Sequence, residues 1–286
     1  MKVLIGMVTF GNLLFSKLTI NSIKETTKFP VDFFVIVGKP GDTETISWLQ
    51  AEKIPYRTHS TNMGFSYSLN DIYDYAWKEF DYDAVIIVGN DIVVYPNCID
   101  ALINLAENST YDVISASQYD IRDLITQYPA TKKYFEGSNL IYKGEGKPWE
   151  YFTDYDKETT IANMQLFDIQ NCCLYKRNFF DVIGYADVNF YPAYYTDNDV
   201  ARRIVNSKLN CCSLTNARFF HFWSRTIHQE TGGSNNHYFE NNRKYYIKKW
   251  GGDFGYEKWE LPFAGRPLKI DIREHELEDI NWWKSH

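Results

Sequence analysis

Paired cysteines, proline, glycine, basic charge and long apolar runs are all in short supply in this chain of 286 residues. The five cysteines are Cys98, the adjacent Cys172 and Cys173, and the adjacent Cys211 and Cys212. An odd count without C-x-x-C spacing excludes a disulfide framework and a zinc ribbon, so they read as reduced core thiols of a cytosolic protein. Nine prolines and sixteen glycines are too few for a collagenous or low-complexity chain. No stretch approaches the ~18 apolar residues of a membrane span. The opening run from Met1 to Val8 is cut by Thr9, Gly11 and Asn12, too early for the apolar core of a signal peptide, and a soluble, cytoplasmic protein is expected. With 37 acids against 30 bases the net charge is −7, so composition does not call for generic nucleic-acid binding. Also missing are a Walker loop, a G-x-G-x-x-G turn and a G-x-S-x-G elbow, which removes the main signals for P-loop enzymes, dinucleotide oxidoreductases and serine hydrolases.

Aromatic residues are abundant: 22 Tyr, 19 Phe and 8 Trp make 17% of the chain, enough for an aromatic core or for stacking faces. Four continuous apolar runs read as buried strands, at Val3 to Val8, Phe33 to Val37, Ala84 to Val88 and Val113 to Ala116. Helical segments alternate with them, from about Leu14 to Thr27 and Thr43 to Glu52. A clearer one carries Leu69, Ile72, Tyr73, Ala76, Trp77 and Phe80 on one face, with Ser66 or Ser68 as cap. Asn97 is placed to cap a further helix through Ile99, Leu102, Ile103 and Ala106. This order predicts a mostly parallel sheet covered on both faces. From Gln118 to about Asn163 the pattern is irregular, polar and aromatic. A strand from Ile169 to Tyr175, a helix from Arg177 to Ile183, the aromatic loop Phe190 to Tyr195 and a helix after Thr196 follow.

Ligands of such sheets bind beyond the carboxyl ends of the strands. Asp91 directly follows an apolar strand at that edge, where a carboxylate either caps the next turn or meets a cation. Asp197 lies at a helix start after the aromatic loop, as a cap or a general base. Asp199 and Arg203 are spaced for a helix-surface ion pair. His221 sits in an aromatic strand, as a core residue or a metal ligand. Arg243, Lys244, Lys248 and Lys249 alternate with Tyr245, Tyr246 and Trp250, which suits a solvated helix face with an aromatic inner side. The same pattern suits phosphate contact with base stacking.

Taken in order, these pieces resemble the nucleotide-sugar-dependent glycosyltransferases of the GT-A fold, family 2, over roughly residues 3 to 250. The segments are Val8-Thr9-Phe10; Asn62-Met63-Gly64-Phe65 followed by Asn70; Gly89-Asn90-Asp91-Ile92 with Pro96; Ile183 to Asp187, then Thr196 to Asp199 and Arg203; and His221 with Ser224 to Thr226, then Lys249-Trp250-Gly251. The resemblance implies an α/β, Rossmann-like GT-A domain over residues 1–225, its mostly parallel sheet sandwiched by helices, and a helical and loop extension on the acceptor side over 226–286. It implies that Asp91 matches the last aspartate of D-x-D and holds Mn²⁺ or Mg²⁺ on the donor pyrophosphate, with His221 as a further metal ligand. Asp197 matches the catalytic base of inverting members. Thr9 and Phe10 match the loop that cradles the nucleotide base, and Asn62, Gly64, Asn70 and Asn90 join the donor site. Gly89 stands where the first carboxylate of D-x-D is expected, Thr196 where a glutamate is, and Val37-Gly38 where an aspartate often meets the base. The implied partners are a nucleoside-diphosphate sugar and an acceptor glycan, small molecule or protein, or a hydroxylated base in DNA. A non-catalytic nucleotide-sugar-binding protein of the same fold is the other expectation.

Overall fold

The computed structural model describes residues 1–137, 140–153, 160–163, 169, 171–223 and 236–273. The expected motif Ser224 to Thr226 and the expected boundary at 225 lie outside the described residues. The first strands are β1 (Val3–Thr9), β2 (Val31–Val37) and β3 (Tyr56–Thr58), interleaved with α1 (Leu13–Thr26) and α2 (Thr43–Ala51). Next come α3 (Phe65–Asp74), β4 (Ala84–Val88), β5 (Ile92–Val94), α4 (Cys98–Asn108), β6 (Val113–Asp120) and α5 (Ile121–Gln127). The pair β7 (Phe135–Glu136) and β8 (Ile141–Tyr142) and the short β9 (Ile161–Ala162) lead to β10 (Cys172–Lys176) and α6 (Arg177–Ile183). After these come α7 (Thr196–Val205), β11 (Cys211–His221) and α8 (Asn236–Trp250).

The sheet order is β3-β2-β1-β4-β10-β6-β11-β5, with β9 on the flank of β11. β1, β2, β3 and β4 are parallel, as are β6 and β11, while β10 runs against both its neighbours. The chain winds outward from β1 through β2 to β3, then returns to place β4 on the other side of β1. That reversal opens a crevice at the carboxyl ends of β1 and β4, where open α/β sheets bind ligands.

Both faces of the sheet are covered, which is why its strands read as unbroken apolar runs. In β4, Ala84, Ile86 and Val88 face α1, α2 and α4, while Val85 and Ile87 face α3, α6 and α7. The same alternation puts Cys172 on one face and Cys173 on the other, so the adjacent cysteines are buried packing residues on opposite sides of the sheet. All five cysteines are free thiols; Cys98 and Cys172 approach to 4.0 Å as thiol partners.

Several local expectations are corrected. α3 starts after Gly64, and Ser66 and Ser68 lie inside its first turns, because Phe65 N–H is drawn to the Pro192 carbonyl at 2.7 Å. The helix closes in a π turn, Tyr75–Glu79, which shifts the period so that Phe80 leaves the core and is 45% exposed. Asn97 adopts a left-handed conformation and caps α4 with its carbonyl alone. β6 continues to Asp120, and β10 begins at Cys172 rather than Ile169. Most of the stretch expected to be irregular after Gln118 is ordered by burial. Tyr128, Phe135, Tyr142, Trp149 and Phe152 join Phe15, Phe220 and Phe222 in an aromatic cluster of their own. Much of the aromatic excess is therefore core. Among the described residues no helix is long and apolar enough to cross a membrane.

Candidate functional site

A cavity of about 610 Å³ opens at the crevice between β1 and β4. Its sheet-built wall carries Phe10, Gly38, Gly89, Asn90, Asp91 and His221; its other wall carries Asn62, Gly64, the loop Tyr191 to Tyr194, and Asp197. Seven of the residues expected from sequence thus meet: Phe10, Asn62, Gly64, Asn90, Asp91, Asp197 and His221.

Thr9 and Asn70 do not line it. Thr9 is fully buried and builds the turn beneath, its hydroxyl donating to the Gly11 carbonyl at 2.9 Å and lying 2.8 Å from Ser16 Oγ and 3.4 Å from Asn90 Nδ2. Asn70 is also fully buried, and both ends of its amide bind Ala186: Nδ2 donates to the carbonyl at 2.9 Å and Oδ1 accepts from the N–H at 2.8 Å. Asn70 is thereby a clamp between α3 and the segment after α6.

The sheet wall follows from strand registry. His221 stands opposite Ile92 across the β11–β5 pair, and the Phe222 N–H donates to the Asp91 carbonyl at 3.0 Å. His221 Nε2 thereby comes 3.2 Å from Asp91 Oδ1. The imidazole lies 4.8 Å from the Trp223 ring, and its Nδ1 is buried with no hydrogen-bond partner among the described residues. A carboxylate oxygen and an imidazole nitrogen side by side at the cavity wall are donor types that a hard or borderline divalent ion accepts. Among the described residues no group of three His, Cys, Asp and Glu side chains gathers for a metal. A cation here needs a further ligand of another kind.

The other wall is less regular. Tyr194 and Tyr195 have φ of 75° and 64°, the left-handed region that non-glycine residues seldom adopt. They are held by Asn242, whose Nδ2 donates to the carbonyls of Ala193 at 2.6 Å and Tyr194 at 3.2 Å. Gly64 has to be glycine: its φ is 82°, and a Cβ there would lie 2.9 Å from the Tyr191 ring. Thr196, where the resemblance puts a glutamate, pairs its hydroxyl with Ser66 at 2.7 Å and ties the start of α7 to α3.

Asp197 follows in the first turn of α7 and accepts the Asn198 N–H at 3.0 Å. Burial raises its pKa above the ordinary carboxylate value, against the lowering pull of the N–H donors at the helix start. A carboxylate that holds its proton more tightly than usual is a better base for a hydroxyl.

In the same helix, Asp199 in the first turn and Arg203 in the last are fully buried rather than on the helix surface. Arg203 Nε donates to Asp199 at 3.0 Å and Nη1 to the Ile183 and Tyr185 carbonyls at 2.8 and 3.0 Å. Lys249 of α8, 2% exposed, donates to Asp187 and Asp199, both at 2.7 Å. Trp250 Nε1 donates to Asp199 at 3.0 Å and Tyr245 OH to Asp187 at 3.0 Å. This settles how the basic, aromatic helix is used. Tyr245, Tyr246, Lys249 and Trp250 face inward and are buried, and Arg243 pairs with Asp253 at 2.6 Å. The arrangement is a brace under α7, and its aromatic rings are closed to base stacking.

Sequence reasoning missed Asn171, Tyr238 and Trp223, which also line the cavity. No motif marks them; they reach it through strand pairing and chain reversal.

The model of the family described as "Glycosyl transferase family 2" matches residues 5–184. Among solved structures, the mannosyltransferase PcManGT from Pyrobaculum calidifontis, in complex with GDP-Man and Mn²⁺, superposes with a TM-score of 0.54 at 12% identity. The match covers 80% of this chain and 59% of that one, so the chain spans less than two thirds of that relative's length. Residues 1–349 of TarS from S. aureus superpose with a TM-score of 0.53 at 13% identity, over 88% of this chain and 74% of that one. At these identities the likeness is one of fold. No curated protein matches the chain.

Proposed function

Because the chain belongs to glycosyl transferase family 2, we propose that it moves a sugar from a nucleoside-diphosphate sugar to an acceptor hydroxyl, with inversion at the anomeric carbon. The observation that carries this reading is one cavity at the sheet's switch point lined by both Asp91 with His221 and Asp197. Its size, about 610 Å³, falls in the range of small-molecule sites, roughly 300–1,000 Å³. Phe10, lying against Gly38, offers a ring face to the nucleotide base, and Asn90 reaches the same crevice.

Asp91 and His221 would hold Mn²⁺ or Mg²⁺, which when bound neutralises charge on the leaving diphosphate. Asp197 accepts the proton of the acceptor hydroxyl as that oxygen forms its bond to the anomeric carbon. The bond from that carbon to the diphosphate oxygen breaks on the opposite side, and its electron pair leaves with the nucleoside diphosphate. Tyr191, Tyr194, Tyr238 and Trp223 give stacking faces for a sugar ring, with a glycan, a small molecule or a protein as the acceptor. Five free thiols suit a reducing compartment, and the reading places the reaction in the cytoplasm.

The test is a thermal-shift panel of UDP-, dTDP- and GDP-sugars with Mn²⁺ or with chelator, followed by product NMR with the donor that binds. A ligand that binds the folded state alone raises Tm. A shift with one nucleotide class that chelator removes, and a product of inverted configuration, are expected. A product with retained configuration would remove Asp197 as base, and binding without turnover on any acceptor would make the protein a nucleotide-sugar-binding module.

A further inference from the structure

Position 89 holds glycine where a first carboxylate is expected, and the strand beside it shows what takes up the room. β10 runs antiparallel to β4 with Cys172 opposite Val88, which brings Asn171 opposite Gly89. The Gly89 N–H donates to the Asn171 carbonyl at 2.9 Å. A Cβ built on Gly89 would lie 3.3 Å from Asn171 Oδ1, 3.3 Å from Ile92 Cγ2 and 3.5 Å from Asp91 Oδ1. Asn171 Nδ2 donates to Gln118 Oε1 at 3.1 Å, and this bond turns the amide so that Oδ1 faces Gly89. The amide oxygen of Asn171 and the carboxylate oxygen of Asp91 therefore border the same small volume, with His221 Nε2 3.2 Å beyond Asp91 Oδ1. All three side chains line the cavity.

We propose that Asn171 supplies the cation ligand that residue 89 does not: the site is assembled across β4 and β10 from Asp91, His221 and the amide oxygen of Asn171. This rests on the reading of Asp91 and His221 as cation ligands. Amide oxygens serve beside carboxylates as ligands of hard cations, and affinity falls as the charge of the ligand set falls. The glycine follows from the arrangement, since a side chain at 89 would press on the Asn171 donor. The oxygen donor occupies one of two positions, 89 or 171, and the two are exchangeable.

Mn²⁺ titration of the full chain, read by the electron paramagnetic resonance of the free ion, tests this without reference to turnover. The wild-type chain binds the ion and Asp91→Ala does not. Asn171→Ala weakens binding roughly tenfold or more, as loss of even a supporting partner of a metal ligand does, and Asn171→Asp tightens it by adding charge. Gly89→Asp alone binds no more tightly than wild type because the new side chain meets Asn171, and paired with Asn171→Ala it regains the affinity that Asn171→Ala lost. Gln118→Ala, which frees the amide to rotate, weakens binding less than Asn171→Ala. Asn171→Asp keeps the side chain's shape, so circular dichroism of that variant separates loss of fold from loss of metal. Wild-type affinity in both Asn171→Ala and Asn171→Asp, with Asp91→Ala inert, would overturn the role of Asn171 and leave the cation reading standing. Unchanged binding in Asp91→Ala, or none in wild type, would overturn that reading and this inference together.

Discussion

The two walls of the cavity are held in place by different physics. Asp91 and His221 extend directly from strands whose side chains pack on both faces, so backbone ladders and apolar burial position them. Asp197 lies just after two residues in a left-handed conformation, in the first turn of a helix that rests on buried charge at Asp199 and Arg203. The helix wall places two aspartates, an arginine and a lysine out of water, an arrangement that holds only while every partner is present. Asp197 is thus held by a network that breaks as a unit, whereas Asp91 and His221 rest on backbone pairing and apolar packing.

Removing the Asp197 carboxylate, the proposed base, draws the sharpest line between the walls. Asp197→Asn is expected to lower turnover by about 10²–10⁴-fold with donor and Mn²⁺ binding unchanged, measured by steady-state kinetics and thermal shift. The raised pKa of Asp197 gives this variant a second signature. Between the ordinary carboxylate pKa and the raised folded one, the folded state keeps a proton that the unfolded state has lost, so stability falls as pH rises through that window and stays lower above it. Asp197→Asn therefore melts higher than wild type at neutral pH, and the two Tm values converge in acid. In the wild type kcat/KM falls on the acid side as Asp197 takes up its proton, at a pH above the ordinary carboxylate range.

Lys249→Met breaks the brace and leaves Asp187 and Asp199 short of a counter-charge. A loss of about 3–5 kcal/mol in urea unfolding is expected, with turnover of the surviving folded fraction reduced. Asn70→Ala strips the Ala186 N–H and carbonyl of their partners and should cost about 1–3 kcal/mol, with donor Kd unchanged by calorimetry. Weakened donor binding at equal stability would instead return Asn70 to the site. Lys244→Ala, on the exposed side of α8, should change stability by no more than about 0.5 kcal/mol and leave activity insensitive to added duplex DNA.

The legible part of the molecule is the part that depends on local pattern. Continuous apolar runs mark β1, β2, β4 and β6, and the rule that ligands sit after such strands singles out Asp91. The spacing of Asp199 and Arg203 also identified a real ion pair, yet placed it on the surface. Periodicity tells which residues share a helix face; it does not tell what covers that face. The cover here is Trp250, 51 residues beyond Asp199. For the same reason Lys249 and its aromatic neighbours looked like a solvated or phosphate-binding stripe. Asn70 read as a donor contact because its spacing from Gly64 fits a motif, whereas its amide is spent on Ala186. The segment after Gln118 looked irregular because its aromatic residues have no helical or strand period. They are ordered by a cluster that includes Phe15, Phe220 and Phe222 from distant parts of the chain.

The sequence by itself determined the α/β winding, the faces of the sheet strands and the acidic residue at the end of β4, because strand and helix periods follow from side-chain geometry within a few residues. Tertiary structure alone decided that Asn171 stands beside Gly89, that α8 carries buried charge beneath α7, and that Asp197 shares a cavity with Asp91. Those placements depend on which strand pairs with which and in what direction. Pairing is selected by the burial of whole faces, and no short stretch of sequence contains that information.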